Sequence, residues 1–279
     1  MPDDHLAYLQ VCGENADQDI EVGRLAIALF SADHQGISVN RYHTHLKKIF
    51  DEVSERHAAL IEQGSDNDVY TQLAAMKHVL SDLYGYAADT PHHEVLESAD
   101  LMRVIDRGKG CSSALCLLYM DVARKMGWRI EGLNFPSRFL CRLEMNGLRL
   151  IFDPSNGCAV LQAHDLRNLV KEALGEAGEL SSHYMEGLDA RASLVHMCNL
   201  IKSRRIEMGE YAAALDMIER LRSFAPQEYR LLLDAGVLYA RIKQENEAIK
   251  CLNEYIERAP LQDRNEALQL LNALQSDQS

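Results

Sequence analysis

The chain has 279 residues, 42 of them acidic and 29 basic, for a formal net charge of −13, and 47% are hydrophobic. That length predicts two units, each able to bury a core, and that charge repels phosphate backbones, so nucleic acid is not an expected partner. Seven cysteines in no framework spacing, no apolar run of membrane-spanning length, and a start (MPDDHLAYLQ) without basic or apolar leader character predict a soluble, cytoplasmic protein with reduced thiols and no membrane partner.

Residues 17 to 30 (DQDIEVGRLAIALF) put Ile20, Leu25, Ile27, Ala28 and Phe30 at mixed helical spacing behind an acidic first turn. Residues 39 to 63 repeat every three to four positions through Val39, Tyr42, Leu46, Ile49, Phe50, Val53, Ala59 and Leu60, so a second helix is expected. In that helix His43 and His45 stand two apart and point to different sides, which reads as surface histidine rather than metal ligand. GSDND at 64 to 68 breaks the pattern. A third helix is expected over 69 to 84, and GYAADTPHHE then reads as a polar connection.

Between 112 and 126, Ala114, Leu115, Leu118, Val122 and Ala123 form a helical face that Leu117, Tyr119 and Met120 widen. A helix apolar this far round is a buried one. The composition then changes to short β-branched and aromatic segments, WRIEGLNF, SRFLCRLEM and LRLIFDPSNG. Asn146-Gly147 between the last two is a strong hairpin signal. A small antiparallel sheet is therefore expected after the helix, and no other β segment. Cys116, Cys198 and Cys251 lie in helical apolar patterns, where cysteine behaves as a small hydrophobe.

Beyond residue 180 the pattern is helical and repeats itself. Residues 194 to 226 and 228 to 260 align with Ala214 on Ala248, Leu215 on Ile249, Ile218 on Leu252 and Ala225-Pro226 on Ala259-Pro260. The offset of 34 residues is the tetratricopeptide period, one helical hairpin per unit stopped by proline. Two such units are too few to stand alone, so they should pack against residues 181 to 193, a terminal helix over 261 to 275, and the preceding domain.

A helix that starts with cysteine, followed by strands that bring in histidine and then aspartate, is the core arrangement of papain-like and transglutaminase-like enzymes. There the imidazole takes the thiol proton and the acid orients the ring. Cys111 and Ser112 begin the buried helix here, and Asp153 ends a strand. Around them stand Gly110-Cys111-Ser112-Ser113, Leu118-Tyr119, Ala123-Arg124-Lys125-Met126-Gly127, Asn134-Phe135-Pro136-Ser137-Arg138-Phe139-Leu140 and Asp153-Pro154-Ser155-Asn156-Gly157. This series, with the repeat tail, resembles the SirB-type bacterial proteins over about residues 20 to 262. Their pattern runs Gly-Ile-Pro-Ile-Ser, Leu-Tyr, Ala-Arg-Arg-Leu-Gly, Gly-Phe-Pro-Gly-His-Phe-Leu, Asp-Pro-Phe-x-Gly-Gly.

The resemblance implies an α+β, mostly helical chain. A transglutaminase-like (papain-like) domain would occupy residues 1–180, with its core of buried helix and small antiparallel sheet at about 69–170. An all-α tetratricopeptide region would fill 181–279.

Two departures bear on chemistry. Arg138 stands where the pattern has histidine, and a guanidinium cannot act as a base. Counting back from Gly127 places the nucleophile position at Ser112, one residue after Cys111, and one residue on a helix is a rotation of about 100°. Family members commonly carry proline there, which implies a fold without Cys-His-Asp catalysis.

Asp153 then reads as a cap of its turn and a partner for Arg138, an ion pair that would line a binding cleft with Ser137 and Asn156. Lys109, with Arg107, could hold a carboxylate or phosphate at the helix start. The expected function is a regulatory adaptor or scaffold that binds a protein or peptide through this cleft and the repeats, without cofactor or metal. The rival is a cysteine-dependent amidase, peptidase or acyl transferase using Cys111 with His92, His93 or His164 as base. A third reading is a structural subunit of a larger complex.

Overall fold

The computed structural model describes residues 3–34, 36–89 and 95–277, and the chain divides into two units, residues 16–197 and residues 1–15 with 198–279. α1 (Asp3–Glu14) belongs to the second. In the first, the acidic stretch at 17 forms its own turn of 3-10 helix, Asp17–Asp19, and α2 (Val22–Ser31) starts only after it. Nine of its ten residues are buried, all but Arg24, which is why their spacing showed no single face. α3 (Asn40–Glu62) buries Tyr42, Leu46, Ile49 and Val53, a stripe at three-to-four spacing.

Asp68, last residue of the GSDND break, caps α4 (Val69–Met76) by accepting from the amides of Tyr70 and Thr71 at 3.0 and 2.9 Å. The helix widens into a π-helix, Lys77–Leu83, before the chain turns. There β1 (Ala87–Ala88) interrupts the expected polar connection, and residues 90–94 lie outside the described residues. α5 (Val95–Ala99) and α6 (Leu101–Arg107) follow, α6 capped by Asp100 and ended by Gly108 at φ +68, a left-handed conformation that favours glycine. β2 (Lys109–Gly110) pairs in parallel with β1 and leads into α7 (Ser112–Lys125).

Eleven of the fourteen residues of α7 are buried. Leu115, Leu117, Leu118 and Met120 are fully so, and burial of each such side chain stabilises the fold by about 1.5–3 kcal/mol. This is the central helix expected from the sequence. β3 (Arg129–Phe135), β4 (Arg138–Met145) and β5 (Leu148–Asp153) form the expected antiparallel meander. Asn146 and Gly147 both have positive φ, 51° and 81°, as a two-residue turn of the I′ kind requires.

The sheet is larger than expected: β6 (Ala159–Val160) adds to one edge, and β7 (Gly187–Leu188), beyond α8 (Ala163–Leu174), adds to the other, for an order β6-β5-β4-β3-β7. Each added strand has two residues, too few to show alternation in a sequence.

α9 (Ala190–Glu207) starts in the first unit and ends in the second. The second unit continues with α10 (Tyr211–Phe224), α11 (Arg230–Arg241), α12 (Glu245–Arg258) and α13 (Asn265–Asp277). The bounds of α10 and α12 lie 34 residues apart at both ends, and so do the last residues of α9 and α11, though not their first. α11 approaches α12 closely because Gly236 lacks a Cβ that would stand 2.8 Å from Leu252. Cys198 and Cys251 are buried here, as Cys116 is in the first unit.

The termini partition differently from a single cut at residue 180. α1 packs on α10, where Gly13 passes so near the carbonyl of Ser223 that a Cβ would stand 2.5 Å from it. Residues 181–197, with β7, complete the first unit.

Candidate functional site

Three elements of the first unit converge on one place: the start of α7, the start of β4 and the end of β5. Gly110 sets the approach, because a Cβ there would meet Val104 at 2.8 Å. Cys111 is the extended N-cap of α7, and its amide donates to the carbonyl of Ser98 at 2.7 Å. Its Sγ lies 3.2 Å from the Ser113 hydroxyl. Cys111 is half-buried and the other six cysteines are buried.

Ser112, the first residue of α7, turns toward the sheet. Its Oγ accepts from the amide of Phe139 at 2.8 Å, and one helical turn on, the Cys116 thiol donates to the carbonyl of the same residue at 3.3 Å. Two side chains four apart on α7 thus hold both backbone polar groups of one β4 residue. Burial pushes the Cys116 thiol well above its ordinary value, and Cys141, Asp153 and Cys111 lie near enough to push it further.

Arg138 precedes Phe139 and follows a turn in which Ser137 is exposed at φ +66. Its Nη1 donates to Oδ2 of Asp153 at 3.1 Å. The Asp153 side chain is 1% exposed and that of Arg138 is 32% exposed. The other carboxylate oxygen accepts from the amide and hydroxyl of Ser155 at 2.8 and 2.5 Å. Both oxygens of this buried carboxylate are therefore engaged, one by a cation and one by its own turn. Asn156 ends that turn and is exposed.

The structure places Ser112, Arg138 and Asp153 on these three converging elements, and in none is a proton acceptor aimed at a nucleophile. The guanidinium has no lone pair to offer. Among the described residues no imidazole is hydrogen-bonded to Cys111 or Ser112. His164, expected as an alternative base, is 72% exposed and pairs with Asp165 at 3.1 Å. His92 and His93 lie outside the described residues.

The cations expected to attract an anion have other partners. Arg107 donates to Asp89 at 2.5 Å, and Lys109 to the carbonyl of Gly85 at 3.3 Å. Among the described residues no group of three or more His, Cys, Asp or Glu could hold a metal.

The surface reading of His43 and His45 is corrected. Both are half-buried on different sides of α3, and burial lowers the proton affinity of each. His45 Nε2 lies 2.8 Å from the Tyr86 hydroxyl. His196 also escaped the sequence reading: it stacks on the Phe139 ring at 4.8 Å, and burial lowers its proton affinity too. No local motif marks it, because its neighbour is 57 positions away in the chain.

Residues 40–199 match the model of the transglutaminase-like superfamily. The chain is 25% identical to a UPF0162 protein of Vibrio cholerae over 271 residues, covering 96% of this chain and 97% of that one. Protein SirB1 of Salmonella typhimurium is 23% identical over 216 residues, 76% of this chain and 79% of that one. UPF0162 protein YchA of Escherichia coli K12 is 22% identical over 178 residues, 63% of this chain and 66% of that one. No solved structure matches the chain.

Proposed function

The chain belongs to the SirB-type family of the transglutaminase-like superfamily, and on that premise we propose that it is a non-catalytic member, a cytoplasmic scaffold or regulatory adaptor that binds a protein or peptide. One observation carries the reading: Arg138, which stands where the family pattern has histidine, is held by a buried Asp153 whose other oxygen caps its own turn. An enzyme of this kind needs a group there that gains and loses a proton near neutral pH. A guanidinium does neither.

The helical pairs of the second unit, whose ends recur at 34 residues, support the binding half of the proposal. Read as tetratricopeptide units, they offer the stacked surface on which such arrays hold extended peptides.

A second reading keeps one observation in its favour: Cys111 is the only cysteine of seven that is not buried, and it stands at the N-cap position of α7. Alkylation of the native chain with iodoacetamide from pH 5 to 9, with peptide mass mapping, separates the two. The scaffold reading expects Cys111 to react no faster than N-acetylcysteine at any pH. Selective, rapid modification of Cys111 at pH 6 would overturn it in favour of thiol chemistry.

A further inference from the structure

At the opposite end of α7 from Ser112, about 20 Å along the helix axis at 1.5 Å per residue, the surface opens into a cleft of about 460 Å³. We infer that this cleft, walled by the first turn of α2, the first half of α3 and Lys125, is a binding site for a small amphipathic carboxylate. Its size falls within the roughly 300–1,000 Å³ of small-molecule sites.

The charge of the lining is the first argument. The chain carries a net charge of −13, yet Arg24, Lys47, Lys125 and the His43 imidazole line this cleft with one carboxylate, Glu21, while Asp51 and Asp121, which pair Lys47 and Lys125, stand outside the lining. The second is the floor: Leu46, 3% exposed, and the half-buried Phe50 give an apolar surface that a bare inorganic anion would leave wet. Four cationic or titratable donors over an apolar floor fit a ligand with one anionic end and one apolar body.

The third argument is how firmly each wall is held. Lys47 pairs with Asp51 at 2.6 Å in the open, and Arg24, half exposed, has Glu21 at 3.5 Å among its partners. Exposed pairs of this kind contribute at most about 1 kcal/mol, so a ligand carboxylate replaces them at little cost. Lys125 is fixed instead. Its Nζ donates to Oδ2 of Asp121 at 2.8 Å, and Oδ1 of that buried carboxylate accepts from the amide of Gly23 at 2.8 Å. One carboxylate thus ties α2 to α7. The spacing holds because Gly23 lacks a Cβ, which would stand 2.6 Å from Leu46 and 2.9 Å from Asp121.

His43 makes the site report on its own occupancy. Burial is the main cause of its lowered proton affinity. Arg24 and Lys125 lower it further, while Glu21 and Asp121 oppose them; Lys47 stands one turn along its own helix. An anion set between Arg24 and Lys125 offsets their repulsion, so His43 takes up a proton as the ligand binds. Affinity then rises as pH falls toward the lowered midpoint of the free His43.

The test is titration calorimetry on the full chain at low salt, with 3-phenylpropionate, its neutral amide and inorganic phosphate as probes. Saturable one-to-one binding of the acid is expected, with the amide weaker by about tenfold or more for want of one charge-assisted hydrogen bond, and phosphate weaker by a similar factor because it leaves the apolar floor wet. Arg24→Gln and Phe50→Ala should each weaken the acid several-fold, and His43→Gln should flatten the pH dependence. Thermal melts confirm that each variant remains folded. Arg24→Gln is the safest of these because its side chain is half exposed. Absence of saturation at millimolar acid, equal affinity for acid and amide, phosphate binding as tightly as the acid, or indifference to Arg24→Gln would overturn the assignment.

Discussion

The two ends of α7 carry similar chemical material and use it differently. At its start, Ser112, Arg138 and Asp153 are joined to backbone groups or to one another, and the carboxylate is buried. At its end, Lys125 is anchored by a buried aspartate, while Arg24 and Lys47 rest on exposed partners over an apolar floor. A polar group already satisfied inside the fold is part of the structure; one held by a weak, exposed pair can change partners. The difference teaches that the place where family resemblance directs attention is the more rigid of the two.

Substitutions at the two ends should separate accordingly, and the largest effect is expected at the start. Arg138→Ala leaves Asp153 as an uncompensated buried charge and should cost about 3 kcal/mol, the lower end for a broken buried pair because water reaches the exposed third of the arginine. Urea unfolding reads this directly, and a loss under about 0.5 kcal/mol, the size of an ordinary surface change, would break the comparison. Gly23→Ala comes next. Its added Cβ must displace Leu46 or the Asp121 carboxylate, for an expected loss of about 1–3 kcal/mol. The same change should distort the cleft, so acid binding falls with stability.

Ser112→Ala should cost about 1–2 kcal/mol by leaving the Phe139 amide without its acceptor. A catalytic serine would show instead a lost activity with stability unchanged.

The smallest effect is electrostatic. Burial, first among the causes, lowers the proton affinity of His43, His45, His57 and His196 below the ordinary 6.5. Folded values below the unfolded one mean that this stability is complete above pH 6.5 and is lost as pH falls below it. Ring-proton NMR titrations should place all four midpoints under 6.5, and a midpoint above it for His43 without ligand would contradict its burial in the cleft wall.

Much of the first unit was legible in the sequence, for reasons visible in particular residues. The apolar run at 114–123 could only be a buried helix, and Asn146-Gly147 could hardly be anything but a hairpin turn. β1, β2, β6 and β7 were not legible, because two-residue strands are fixed by the partner they meet and not by their own pattern. The place of α1 was hidden for a similar reason: its contact with α10 rests on Gly13 and a distant carbonyl. At the site, Arg138 and Asp153 could be named from their motifs, whereas the double hold of Ser112 and Cys116 on Phe139 needed three dimensions. The cleft at the far end of α7 gave no signal, since its lining comes from three helices, with Lys125 standing 75 positions beyond Phe50.

The polar residues at the start of α7 hold the fold together. A double-mutant cycle on Arg138→Met and Asp153→Asn, read by urea unfolding, tests it most directly. The account predicts a coupling of about 1.5–3 kcal/mol, within the range for charge pairs in contact. A coupling near zero would mean that the pair contributes nothing to folding, and that Arg138 and Asp153 are free to serve some other purpose.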